Sequence, residues 1–132
     1  MQAKAIRIQS HGGPEVMDYV DIDVAAPGPG EALVRQHAIG LNFTDVYART
    51  GLYPFPLPGG LGKEGAGVVE AVGAGVGCVA VGDRVAYAGG PNGAYATLRM
   101  LPAEVRPTYD AIKALVDSAR AAAGAAPAAA GQ

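Results

Sequence analysis

The chemistry-bearing residue types of this chain concentrate around Gly60-Leu61-Gly62-Lys63-Glu64-Gly65, a literal G-x-G-x-x-G. That spacing can cradle phosphate, because glycines let backbone N–H groups approach an anion while a following helix presents its positive end. Such a cradle needs a strand directly before its first glycine and a helix opening at its last. Before Gly60 stands LYPFPLPG, whose three prolines cannot continue a central parallel strand. After Gly65 comes AGVVEAVG, with alternating valines and glycines too dense for a helix. The context fails on both sides, and the glycines are expected to let the backbone turn tightly at the entrance to a strand.

Metal and nucleophile chemistry finds little else. Cys78 is the single cysteine, and neither His11 nor His37 has a partner at metal-ligand spacing. Cys78 is expected as a small apolar residue in or near the core, and His37 as a core or edge residue of a strand. Taken on their own, Asn42 reads as a turn residue satisfying backbone groups ahead of a short helix. Tyr47 and Tyr53 read as packing tyrosines, and Lys63 as a solvated loop lysine.

The elements that would position these residues are mainly strands. Short valine-rich runs alternate with Gly and Pro punctuation over the first hundred residues. AIRIQ and YVDIDV alternate with period two, Val20, Ile22 and Val24 on one face and Asp21 and Asp23 on the other. ALVRQHAIGLN, GAGVVEAVG, DRVAYAG and AYATLRML complete the set, with Asp83 and Arg84 placed to pair at a turn. The rhythm predicts a small barrel or sandwich rather than a βαβ array. NFTDVYART, with Phe43, Val46 and Tyr47 at i, i+3 and i+4 and Gly51 as a stop, predicts one or two helical turns. From Pro107 the sequence PTYDAIKALVDSARAAAG sets Tyr109, Ile112, Val116 and Ala119 along one stripe, a helix that should dock on something. The division expected is a β domain over 1–105, then a helix and disordered tail over 106–132.

At 132 residues the chain suits one domain with a real core. A net charge of −2 offers no basic face for nucleic acid. No apolar run is long enough to cross a bilayer, and MQAKAIRIQS lacks a signal-peptide core. The expectation is a cytoplasmic protein with neither nucleic-acid nor membrane partners.

Several motifs in register carry a resemblance. LGKEGAGVVEAVGAGV followed by VGDRVAY is similar to the N-terminal, GroES-like catalytic domain of the medium-chain dehydrogenases/reductases. HGGPEVMDYVD and IGLNFTDVYARTGLYP narrow the likeness to the zinc-independent quinone oxidoreductases, relatives of zeta-crystallin. It runs from about Lys4 to about Glu104. The fold implied is a mainly β, GroES-like small barrel with short helical turns, a C-terminal helix and no Rossmann domain.

In zinc-dependent relatives a cysteine and a histidine in these motifs bind catalytic zinc; the corresponding positions here are Asn42 and Lys63. Amide and ammonium groups are poor zinc ligands, so the resemblance implies no metal. It implies instead hydride transfer from NADPH to a quinone, with Asn42 beside the nicotinamide or its ribose and Tyr47 near the same mouth. Tyr53 would line the quinone pocket, offering a flat face and a hydroxyl for a carbonyl oxygen. Lys63 would favour negative charge on cofactor phosphate or reduced quinone, unless it is simply solvated.

The resemblance also implies a nucleotide-binding domain of roughly 150 residues, and nothing after Glu104 supplies its strand, glycine-rich turn and helix. The expectation is therefore a catalytic domain truncated before that unit, with weak NADPH affinity and little or no activity alone. Its partner would be a separate nucleotide-binding chain or a second copy in a homodimer, the stripe from Pro107 covering the bared flank. The alternative is a non-catalytic GroES-like module for binding or self-association.

Overall fold

The computed structural model describes residues 1–103; the helix and tail expected over 106–132 lie outside the described residues. Seven strands and one helix follow in order: β1 Gln2–Ile8, β2 Asp18–Asp23, β3 Glu31–Ile39, α1 Phe43–Thr50, β4 Gly59–Gly60, β5 Glu64–Val72, β6 Arg84–Ala88 and β7 Leu98–Pro102. A 3-10 turn at Pro14–Val16 precedes β2. No helix of the described residues is long and apolar enough to cross a membrane.

All pairings between strands are antiparallel. One sheet has the order β2-β1-β4, the other β6-β5-β3-β7. They join through the bridge between Ala5 and Ala96. There the Ile6 N–H donates to the Tyr95 carbonyl and the Thr97 N–H to that of Lys4, each at 2.8 Å. The two sheets thus join as a small, mainly β barrel, one of the two forms, barrel or sandwich, that the alternation predicts.

The pattern of each strand follows from its place. β2 is an edge strand, and its Val20 and Ile22 turn inward while Asp21 and Asp23 stay exposed. β3 lies between β5 and β7, so successive Leu33 and Val34 are both buried, on opposite faces. Leu33 packs with Ala3 and Leu98, and Val34 with Val69, Tyr87 and Leu101. A register shift between Gln36 and Ala38 leaves His37 as the extra, exposed residue of a bulge. Asp83 does not pair with Arg84 but accepts from the Ala80 N–H at 2.8 Å, closing the turn before β6.

A polar network crosses the interior. The Tyr87 hydroxyl donates to Gln36 Oε1, and Gln36 Nε2 donates to the carbonyls of Ala94 and Ala96 at 2.8 and 2.6 Å. Arg99, 5% exposed, stacks 5.1 Å over the Tyr87 ring and donates to the Pro91 carbonyl. Burial lowers the Arg99 pKa and pushes the Tyr87 hydroxyl up to about 12. Together these bonds tie the loop 91–96 to the barrel wall.

The G-x-G-x-x-G stretch is strand, turn and strand, as its context predicts. β4 ends at Gly60, Gly62 takes φ +85° and β5 opens at Glu64. A Cβ on Gly62 would lie 2.4 Å from the Tyr95 ring, and one on Gly65 would lie 2.2 Å from Gln36 Oε1. These glycines make room for side chains rather than for phosphate. Gly62→Ala is expected to cost about 2–4 kcal/mol, from left-handed strain plus overpacking against Tyr95. Gly75→Ala, at φ +78° with nothing within 4 Å, should lose only the strain, about 1–2 kcal/mol. Urea unfolding of both variants checks this, and equal losses would show that the Tyr95 ring yields freely.

Candidate functional site

α1 carries the site, and eight residues are too few to hold a helix unaided. Its first turn is capped locally. Asn42 is the N-cap, with extended φ −130° and ψ 152°, and Asp45 stands at the third helical position in a capping-box arrangement. The Asn42 backbone N–H donates to Asp45 Oδ2 at 3.0 Å, and the Asp45 N–H donates to the Asn42 carbonyl at 3.0 Å. Gly51 closes the helix at φ +88°.

Asp45 is only 4% exposed. A carboxylate taken out of water needs further partners, and the second comes from far along the chain. The Tyr95 hydroxyl donates to Asp45 Oδ2 at 2.9 Å. Burial first, and then this bond to Asp45, raise the Tyr95 pKa. The loop held by Gln36 and Arg99 therefore holds α1 in turn. Ala48, on the same helix face as Asp45, packs with Ile8 and Leu61.

The α1 stripe of Phe43, Val46 and Tyr47 faces outward, at 79%, 38% and 37% exposure. Asp45 and Ala48 are the buried residues of the helix. Period 3.6 locates the helix, while the packing face is chosen by the buried acid and the small alanine.

Along α1 lies a cleft of about 310 Å³, walled by Met17, Leu41, Phe43, Val46, Leu61 and Tyr95, with Asn42, Asp45 and Arg49 as its polar groups. This is the lower end of the roughly 300–1,000 Å³ usual for small-molecule sites. It suits one substituted ring and not a dinucleotide. Asn42 lines it; where its side-chain oxygen serves the cap, the two amide hydrogens are free for a ligand.

Of the candidate site residues expected from sequence, Asn42, Tyr47, Tyr53 and Lys63, only Asn42 lines this cleft. Tyr47 and Tyr53 are brought together beside it, edge to face with centroids 5.4 Å apart. The Tyr53 N–H donates to the Tyr47 carbonyl at 3.1 Å. Lys63 is exposed and lines a different cleft of about 390 Å³ with Arg7, Phe55 and Asn92. Leu61, two residues earlier, belongs to the Asn42 cleft, so the turn at Gly62 divides the two. Asp45 and Tyr95 were not legible as site residues. Asp45, three places after Asn42, carries the local spacing of a cap; Tyr95, fifty places on, carries no local signal. Among the described residues no three His, Cys, Asp or Glu side chains gather as a metal site.

Comparison with known proteins bears on the family. Residues 28–106 match the alcohol dehydrogenase GroES-like domain. A quinone oxidoreductase of Pseudomonas aeruginosa is 60% identical over 103 residues, covering 77% of this chain and 32% of that protein. The crystal structure of Escherichia coli quinone oxidoreductase complexed with NADPH superposes with a TM-score of 0.74 at 48% identity, covering 76% of this chain and 31% of that one. Quinone oxidoreductase from Pseudomonas syringae pv. Tomato gives 0.73 at 60% identity, covering 76% and 31%. The chain spans about a third of the length of these relatives.

Tyr95→Phe leaves Asp45 buried with its backbone partner alone and is expected to cost about 1–2 kcal/mol. The pH dependence has a definite sign. The Tyr95 pKa is raised above its ordinary value of 10.0, so its contribution is complete below pH 10 and is lost as pH rises beyond it. Urea unfolding at pH 8 and pH 11 should show a smaller alkaline loss in the variant than in the parent. Equal losses would remove Tyr95 from the account.

Proposed function

Because the chain belongs to the alcohol dehydrogenase GroES-like domain family, we propose that it is the acceptor-binding part of a zinc-independent, NADPH-dependent quinone oxidoreductase. The observation that carries this reading is a mostly apolar, ring-sized cleft with one amide, that of Asn42, presented by a pinned helix N-terminus. The likeness to quinone oxidoreductases at up to 60% identity supports it.

In this reading a quinone, or a comparable electron-poor carbonyl conjugate, lies against Leu41, Val46 and Leu61. The Asn42 amide hydrogens hold a carbonyl oxygen of the quinone or of the nicotinamide. The apolar walls exclude water, which strengthens that bond. The Tyr47–Tyr53 pair offers an aromatic face at the mouth, and the Tyr53 hydroxyl orients a second carbonyl oxygen. Lys63 and Arg7, neither in an ion pair among the described residues, supply positive potential for cofactor phosphate or anionic reduced quinone. NADPH, when bound, supplies the hydride. The described residues contain no phosphate cradle, so most of the cofactor's affinity would come from a nucleotide-binding unit outside them, in this protein or a separate chain. Zinc-independence rests on donor chemistry: an amide at position 42 and an ammonium at 63 do not make a zinc site.

A second reading, a non-catalytic binding or self-association module, draws on the exposed side chains of Leu41 at 80%, Phe43 at 79%, Leu52 at 64% and Tyr53 at 52%. So much apolar surface on one short segment favours a covering partner.

Titration with duroquinone and with NADPH, paired with NADPH oxidation in the presence of duroquinone, separates the two readings. The quinone reading expects saturable duroquinone binding. Asn42→Ser, which keeps a capping oxygen but lacks the amide hydrogens, should weaken that binding about tenfold, one hydrogen bond's worth. Unchanged affinity would dismiss the amide from the site. No duroquinone binding at millimolar concentration would leave the module reading standing.

A further inference from the structure

A second apolar cleft, of about 280 Å³, lies where β1, β2 and the end of β3 approach the segment 95–97. It shares two walls, Leu41 and Tyr95, with the Asn42 cleft. Leu41 is 80% exposed, a ridge between the two clefts rather than a barrier.

Most polar groups of this second cleft are engaged within the protein. Lys4 Nζ pairs with Asp21 at 2.6 Å and sits 5.4 Å from the Tyr19 ring centroid. The Thr97 hydroxyl oxygen accepts from the Lys4 N–H at 3.0 Å, and the Tyr95 hydroxyl donates to Asp45 at 2.9 Å. The backbone there is paired too, Ile6 with Tyr95 and Thr97 with Lys4. What faces an occupant is mainly hydrocarbon and aromatic surface from Ile6, Ile39 and the Tyr19 ring. A charged or many-bonded ligand would find few free counterpart groups, whereas an alkyl chain needs none.

We propose that this cleft receives the hydrocarbon extension of the acceptor whose carbonyl ring occupies the Asn42 cleft. The chain then selects quinones that carry an alkyl or isoprenoid-like side chain, the tail crossing the ridge at Leu41. This rests on the quinone reading above and adds a specificity that reading does not contain.

The test compares two fully substituted quinones on the full chain by calorimetry: duroquinone, and the trimethyl analogue carrying a decyl chain in place of one methyl. The tailed quinone is expected to bind on the order of thirtyfold tighter, roughly threefold per methylene for about three buried methylenes. Tyr19→Ser and Ile39→Ser should each reduce that gain severalfold while leaving duroquinone affinity unchanged. Val81→Ser, removing a side chain that is 63% exposed and outside both clefts, should keep the whole gain. Duroquinone binding without any tail gain would overturn the tail site and leave the quinone reading intact. Binding of neither quinone would overturn both. A gain untouched by Tyr19→Ser and Ile39→Ser would place the tail elsewhere and sink the proposal. So would sedimentation showing that this face is closed by a second copy, with Tyr19→Ser releasing monomer and no tail gain in either form.

Discussion

A carboxyl group buried as deeply as that of Asp45 needs fixed donors to replace its lost water. Those donors are the Asn42 N–H at 3.0 Å and the Tyr95 hydroxyl at 2.9 Å, and the geometry of the site follows from supplying them. The first holds the N-cap of α1; the second holds α1 to the loop 91–96. That loop is held in turn by Gln36 Nε2 on two of its carbonyls and by Arg99 on a third. One chain of hydrogen bonds thus runs from the barrel interior to the backbone N–H of Asn42, a residue that lines the cleft. Each link is buried or half-buried, where an unmade bond costs more than a made one contributes. That asymmetry keeps Asn42 in one place.

A helix of eight residues could not do this by itself, since helix nucleation is unfavourable and short helices draw their stability from packing. α1 buries a small alanine and an acid, and leaves its large apolar side chains outside. The arrangement is costly in water and makes sense where something apolar is to be met. It also explains why the cleft can be apolar without collapsing. Its walls are Met17, Leu41, Leu61 and side chains of α1 and the Tyr95 loop, and the Tyr95–Asp45 bond ties the last two together.

Most of the fold was legible in the sequence because strands here obey local rules. Val20, Ile22 and Val24 alternating with Asp21 and Asp23 report a half-buried strand, and Gly51 reports the end of α1. The proline-rich run before Gly60 ruled out a phosphate cradle before any coordinates were needed. Two features resist that kind of reading. The two-residue β4 is too short to have a period. The Tyr95–Asp45 bond joins residues fifty apart in the chain, so no window of sequence contains both. The same limit applies to Lys63: it lies near Asn42's cleft in sequence, through Leu61, yet the left-handed turn at Gly62 sends it to a cleft shared with Arg7.

The glycines of residues 60–65 are therefore tied to the site by sterics instead of by phosphate. Gly62 has no Cβ because the Tyr95 ring occupies that space, and Gly65 has none because Gln36 and the Tyr87 hydroxyl do. Tyr95 and Gln36 are also the residues through which the loop grips α1 and the barrel wall. A motif that elsewhere brings backbone close to an anion here brings it close to two aromatic side chains, by the same freedom from a side chain. Its chemical role is indirect and still specific: Gly62 lets the turn before β5 pass close beside Tyr95, a wall shared by the two apolar clefts.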